Sequence, residues 1–266
     1  MQLTPTQIDQ FCQDGFLVAE DIVTASDLEP VIEEYTAWID QKAQQLHNEG
    51  AITDLCENAD FSHRFVCLYA QSPDIAQGMD IMHMRGAAIF AFLQNPRLLD
   101  AVESLIGPEI TCNPIQHIRA KPPSTRQGTD FYTVPWHQDL GVTWAEADHS
   151  DIITCWLALV DATVENGCME VLPGIWKQGL LPHEAGVGGA HIPANALPAD
   201  LKPIAVPVKK EASCSCTAAH RTIPRPTSRR GCAGASIYGI SRPVCRRAAR
   251  FIRRLLSAAR PNLRVC

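Results

Sequence analysis

His137 and Asp139 stand two residues apart in VPWHQDLGV, residues 134–142, directly after a proline and a tryptophan. An imidazole nitrogen and a carboxylate oxygen are donors that divalent first-row metals accept, and on a β-strand side chains i and i+2 point to the same face. One more histidine from a distant strand would complete a two-histidine, one-carboxylate triad. On Fe(II) that triad leaves coordination positions open for a co-substrate and dioxygen. A surface His–Asp pair beside a turn is the ordinary alternative, because so short a motif recurs by chance.

The surroundings sharpen the choice. The run KPP…VPWHQDLGV…DIITCWLALVDATVENGCMEVLPGIWKQGLLPH resembles the phytanoyl-CoA dioxygenase family of Fe(II)/2-oxoglutarate oxygenases. The likeness is closest over about 115–183 and fainter in the opening FCQDGFLVAEDIV. It implies that His137 and Asp139 are iron ligands and that Trp156 lies beside the 2-oxoglutarate site. It also implies that His117, four residues before K-P-P, lines the same pocket. Packing alone is the competing reading of Trp156, since buried tryptophans commonly do nothing else. Lys121 reads as a structural lysine at a strand end, and His183 and Asn166 as residues that fix loops. The chemistry implied is hydroxylation of an unactivated C–H in a small organic or acyl substrate, using Fe(II), 2-oxoglutarate and O2. The cofactor carries the hard step, while the protein aims the substrate and keeps water out. A carboxylate at Asp139 separates the chain from the related halogenases, which place a small residue there to make room for chloride.

The elements that must position these residues follow from pattern. The first hundred residues read as mostly helical. Thr4 caps a short helix ending near Gly15. FLVAE is a short strand, and from Ser26 the residues Leu28, Val31, Ile32, Tyr35, Ile39 and Ala43 recur at helical spacing. Further helices fit DIMHMRGAAIFAFLQN and PRLLDAVESLIG, the second opening on Pro96 and closing on Gly107. From Glu109 the texture changes to short apolar runs: EITCNPIQHIRAKPP, DIITCWLALVDA and GCMEVLPG read as strands. Asn166-Gly167 suits a tight turn joining the last two as an antiparallel pair. DIITCWLALV is apolar on both faces, so it belongs in the middle of a packed sandwich or barrel. Residues 180–208 read as a loop-rich insertion. The expected fold is α+β with a mainly β core: an N-terminal helical layer over 1–108, then a double-stranded β-helix, or jelly roll, over 109–210.

Bulk composition fits one large domain or two small ones. The 266 residues are 46% hydrophobic and 20% charged, ordinary for a globular protein with ample core. No apolar run approaches the roughly 18 residues of a membrane helix. MQLTPTQIDQ has neither a basic nor an apolar leader region, so a cytoplasmic location and a small-molecule rather than membrane partner are expected. Eleven cysteines with no paired spacing before residue 200 argue against a disulfide framework, and Cys155 and Cys168 read as small core residues.

The net charge of −6 conceals a break. Residues 1–208 hold 9 basic and 28 acidic side chains, a balance of about −19. Residues 209–266 hold 14 basic side chains, five of the cysteines and one acid, Glu211, a balance of about +13. The family resemblance calls for a third ligand, a histidine, on a later strand. An arginine should follow it, pairing bidentately with the distal carboxylate of 2-oxoglutarate. KKEASCSCTAAHRTIPRPTSRRGCAGASIYGISRPVCRRAARFIRR offers no apolar strand to carry them. One base lost after the Lys210 codon accounts for the break. The restored frame reads KKGSLLLLH, then RRPPNHSP and later LRWGFDLRYITPGVPAGRP, which supplies a strand, a histidine near Thr222 and Ile223, and an arginine-bearing strand. Each buried leucine is worth roughly 1.5–3 kcal/mol, so four of them rival the roughly 5–15 kcal/mol that holds a domain together. The chain as it stands is therefore expected to lack its C-terminal strands, to be disordered over 211–266 and to bind iron weakly. Two other readings of the tail compete. An arginine-rich extension on a non-catalytic β-sandwich binding protein could contact nucleic acid electrostatically, although nucleic acid is not the expected partner. Cys214, Cys216 and His220 could form part of a metal site, but four placed ligands are needed and no second C-x-C pair is present. His220 could also stand in as third iron ligand, with no strand to hold it.

Overall fold

The computed structural model describes residues 2–113, 116–118, 120, 135–142, 152–186 and 189–210, and the backbone of 213–219 and 238–241. Lys121, Pro122, Pro123, His220, Thr222 and Ile223 lie outside the described residues, and the described part of the strand expected over 109–123 is strand only at Thr111–Cys112.

The helical layer is built from local signals. Helix α1 (Pro5–Asp14) opens on a capping box in which the Thr4 hydroxyl accepts from Gln7 and the Gln7 side chain accepts from the Thr4 N–H. It stops at Gly15, whose φ of 83° suits only glycine at low cost. Strand β1 (Phe16–Glu20) follows. Helix α2 (Ala25–Asn48) starts one residue before Ser26, capped by Thr24 and Asp27, and buries Leu28, Val31, Tyr35, Ile39, Ala43 and Leu46 along one stripe. Helix α3 (Phe61–Gln71) opens on Asp60.

The single helix expected over DIMHMRGAAIFAFLQN is two, α4 (Ile81–Met84) and α5 (Ala87–Phe92). The break falls at Arg85, with φ 46°, and Gly86. There Glu34 of α2 accepts the N–H groups of Ala88 at 2.8 Å and Ile89 at 3.2 Å, capping α5 from outside. A Cβ on Gly86 would overlap that carboxylate, so a long-range contact decides the break. Helix α6 (Pro96–Ile106) runs from an Asn95 cap to Gly107 as its sequence implies.

The expectation of no disulfide is overturned by Cys56–Cys67, joined across 11 residues with Cα atoms 6.3 Å apart. The turn before α3 doubles back over that helix, a closeness that spacing alone does not reveal. Gln71 ties the same turn to α3 by accepting from the N–H groups of Thr53 and Asp54. Cys155 and Cys168 are buried, as expected.

The remaining strands are β2 (Thr111–Cys112), β3 (Ile152–Leu157), β4 (Met169–Val171), β5 (Glu184–Gly186), β6 (Gly189–His191), β7 (Ile204–Val206), β8 (Ser213–Ala219) and β9 (Tyr238–Ser241). The main sheet is antiparallel in the order β1-β8-β3-β9-β2, with β3 at its centre. Ile153, Cys155 and Leu157 join Leu17, Ala19 and residues of α2, α5 and α6 in the principal core. Trp156 points the other way, packing with Phe16, Val18, Ala158, Val171, Val206 and Val208. The strand expected in DIITCWLALV is found over Ile152–Leu157, at the centre of this antiparallel sheet, with the helical layer packed on it.

Two strand expectations need correction. β4 pairs with β7, not with β3. The segment between β3 and β4 pairs Ala162 with Val208 and then turns, held by Asn166, whose side chain accepts from the Thr163 N–H and donates to the Asp161 carbonyl. The loop-fixing role of Asn166 thus stands, but the turn does not close a hairpin. C-terminal strands are also present: β8 lies between β1 and β3, and β9 on the far side of β3. Strand pairing uses backbone groups that every non-proline residue carries, and SCSCTAA contains no proline or glycine to interrupt them. Residues 180–208 are not featureless either, since they hold the β5–β6 hairpin and β7. Among the described residues no helix is long and apolar enough to cross a membrane.

Candidate metal centre

The H-x-D pair does not lie on a strand. Residues 135–138 run as loop, and Asp139–Val142 form a single 3-10 turn closed by the Gly141 N–H on the Gln138 carbonyl at 2.8 Å. His137 and Asp139 converge nonetheless. His137 Nε2 and Asp139 Oδ1 are 3.0 Å apart, with both side chains mostly buried.

Their other heteroatoms are engaged. His137 Nδ1 lies 2.8 Å from the Pro135 carbonyl, which can only accept, so Nδ1 carries the proton and Nε2 presents a lone pair. The Thr154 hydroxyl, 1% exposed on β3, donates to Asp139 Oδ2. Two electron-pair donors therefore face each other, an arrangement stable only with a cation between them. A proton on Nε2 satisfies it, and so does a divalent metal. Ligands oriented by a carbonyl and a hydroxyl are the outer arrangement metal sites use, so His137 and Asp139 fit an iron ion. Among the described residues no group of three or more His, Cys, Asp or Glu is placed to hold a metal.

The turn is held from behind. Gln138, 1% exposed, points opposite to its neighbours. Its Nε2 donates to the Gly179 carbonyl at 2.9 Å and its Oε1 accepts from the Leu181 N–H at 2.8 Å. Its own N–H donates to His183 Nε2 at 2.9 Å, while His183 Nδ1 donates to the Leu181 carbonyl at 2.9 Å. Burial pushes the His183 imidazole below the ordinary histidine range; the Leu181 carbonyl pulls the other way and His137 and His191 add to the fall. The ring lies flat against Gly141, where a Cβ would overlap it.

With this geometry in hand, the relationships of the chain are informative. The family model for phytanoyl-CoA dioxygenase matches residues 11–210. The chain belongs to the phytanoyl-CoA dioxygenase family. A probable phytanoyl-CoA dioxygenase of Caenorhabditis elegans is 36% identical over 104 residues, covering 36% of this chain and 30% of that protein. The human peroxisomal phytanoyl-CoA dioxygenase is 36% identical over 97 residues, 36% of this chain and 27% of that protein. The matched stretch thus spans under a third of the length of these curated relatives. Among solved structures, the epimerase SnoN in complex with Fe3+, alpha ketoglutarate and nogalamycin RO aligns with 89% of this chain and 81% of that one at 15% identity and a TM-score of 0.44.

Trp156 and His117 lie on elements other than the H-x-D turn. Trp156 shares a face of β3 with Thr154, two residues away, and is half-buried in its apolar cluster. His117 pairs with Asp80 through Nδ1 and Oδ2 at 2.8 Å, linking the segment after β2 to the helical layer. His183 is the loop-fixing residue expected. Gln138 and Thr154 were not singled out by sequence. Thr154 could have been found, since it is the one hydroxyl within IITCWL, on the same alternating face as Trp156.

Proposed function

We propose that the chain is an Fe(II)- and 2-oxoglutarate-dependent dioxygenase with a jelly-roll core that hydroxylates an unactivated C–H of a small organic or acyl substrate. The observation that carries the reading is the His137 Nε2–Asp139 Oδ1 pair, two donors 3.0 Å apart whose remaining heteroatoms are already taken. Membership of the family supports the chemistry, and the names of the matched relatives support an acyl-CoA substrate class. When bound, the iron supplies activation of dioxygen alongside 2-oxoglutarate. The protein's own part is to orient the two ligands through Pro135 and Thr154 and to keep the turn in place through Gln138. Trp156 and His117 are assigned to the 2-oxoglutarate pocket, Trp156 because it shares the Thr154 face of β3. The reading is tested by incubating the chain with Fe(II), ascorbate, 2-oxoglutarate and phytanoyl-CoA and measuring succinate. Succinate formation lost in His137→Ala is expected; its absence in a coding-corrected chain overturns the assignment.

That correction concerns the tail. The reading holds that a single-base deletion follows the Lys210 codon and that the third histidine and the arginine belong to the restored frame. Its support is a coincidence of three boundaries. The family match ends at Lys210, the charge balance reverses beside it, and the cysteine cluster begins just after. The register adds to this: Cys216 stands opposite Leu17 and Cys155, and Cys214 opposite Ala19 and Leu157, four residues buried in the principal core. The restored frame puts leucine at both positions. Sequencing the coding DNA across Lys209–Cys216 decides the matter: an additional base is expected, and an unaltered frame leaves a polypeptide with two ligands and weak iron binding. The competing assignment, a non-catalytic binding protein with a nucleic-acid-contacting tail, would show itself as a salt-dependent gel shift without succinate.

A further inference from the structure

We propose that Gln138 and His183 form a clamp that positions the H-x-D turn, so that metal affinity is set partly by the segment 179–183 on the side of the turn away from the ligands. The metal part of this rests on the reading of His137 and Asp139 as ligands; the mechanical part does not.

Gln138 lies between the two proposed ligands, and its side chain bonds to the 179–183 segment rather than to them. Three hydrogen bonds join it to one five-residue stretch: amide to the Gly179 carbonyl, amide oxygen to the Leu181 N–H, and backbone N–H to His183 Nε2. Because the Leu181 carbonyl fixes the proton on His183 Nδ1, Nε2 is left as the acceptor that Gln138 needs. The clamp therefore works only with His183 in one tautomer, and the same strap carbonyl that holds the ring selects it. Gly141 leaves room for the ring to lie on the turn, and the Trp136 carbonyl accepts from the Ile192 N–H at 2.7 Å. The turn is thus gripped at 138 and 141 by the 179–183 segment and at 136 by Ile192, none of which is assigned as a ligand.

A well-made outer partner changes metal affinity by roughly 10–100-fold when removed. The test uses the full chain and three variants. Gln138→Met keeps side-chain length without amide groups, His183→Phe keeps a ring without nitrogens, and His183→Gln offers an amide oxygen where Nε2 stood. Two quantities are read: hydrogen exchange of the amides over 136–142 without metal, and Co(II) affinity from visible absorption. Thermal melting is followed alongside. Exchange at 136–142 is expected to speed up at least about tenfold in Gln138→Met and His183→Phe. Co(II) affinity is expected to fall about 10–100-fold in both, with His183→Gln within about threefold of the parent in each readout. Unchanged exchange in Gln138→Met overturns the clamp. Faster exchange with undiminished Co(II) affinity overturns its effect on the metal. A parent chain that binds no Co(II) removes the metal reading itself, and the clamp then stands or falls on exchange alone. Variants whose exchange rises equally across the helical layer are globally destabilised, and that result also rejects a local clamp.

Discussion

The helical layer and the H-x-D turn are held by different means. Helices α1, α2, α3 and α6 begin at caps supplied by residues within one turn: Thr4, Thr24, Asp60 and Asn95. Beyond the local bonds of Gly141 to the Gln138 carbonyl and of His137 to the Pro135 carbonyl, the ties of the turn at 136–142 to Thr154, Gly179, Leu181, His183 and Ile192 reach 15 to 56 residues away. A layer built on local signals tolerates loss of a cap as a modest stability change. A turn built on distant contacts turns a single lost partner into a displaced His137 or Asp139.

The largest effect belongs to the proposed ligands. Asp139→Ala removes one donor of the pair and is expected to weaken Co(II) binding by more than about 100-fold, beyond the 10–100-fold typical of outer partners. Titration followed by visible absorption measures it, and stability should fall by no more than loss of the acceptor of the buried Thr154 hydroxyl costs, about 1–3 kcal/mol. A large fall in melting temperature with retained affinity would mean the carboxylate is structural.

Leu98→Ala probes the opposite region. Leu98 is 1% exposed in α6 and packs in the principal core. Truncation to alanine costs about 2–5 kcal/mol, read from urea unfolding, with Co(II) affinity unchanged within about threefold. If affinity drops in proportion to stability, the two regions are not separable. Thr154→Val tests the border, since Thr154 lies on the central strand yet holds Asp139. The swap keeps shape and removes the hydroxyl donor, so affinity should fall about 10–100-fold with little change in melting temperature.

The same contrast explains what could be read in advance. α1, α2 and α6 were legible because cap, periodicity and stop signal lie in consecutive residues; α5 was mis-joined to α4 because Glu34, 54 residues away, decides its start. The apolar run of β3 announced a central strand, but its partners could not be inferred, and β4 went to β7. His137 and Asp139 were found from type and spacing, whereas the strand assigned to them is a 3-10 turn shaped by Gln138 and the 179–183 segment. Cys56–Cys67 escaped notice because only the fold of the turn before α3 brings the two together. β8 is not legible because its residues carry no apolar pattern, whereas its pairing with β1 and β3 uses backbone groups alone.

The smallest expected effects are titrations, and they separate the two regions by pH. His183 has a folded pKa depressed by burial from its ordinary 6.5. The unfolded chain binds that proton more readily, so its contribution to stability is complete above 6.5 and declines as pH falls below it. Asp60 is held down to about 2 from 3.8 by hydrogen bonds from Ser62 and His63 at the α3 cap. Its contribution is complete above 3.8 and is lost as pH falls from there toward 2. Hydrogen exchange between pH 7 and 5 should therefore loosen 136–142 while α3 keeps its protection. Asp60→Asn, which retains a capping oxygen without the charge, should flatten the acid dependence of α3 below pH 4 and leave the turn unaffected. Loosening of both regions together between pH 7 and 5 would show that the turn has no stability of its own to lose, and that the protein unfolds as one unit.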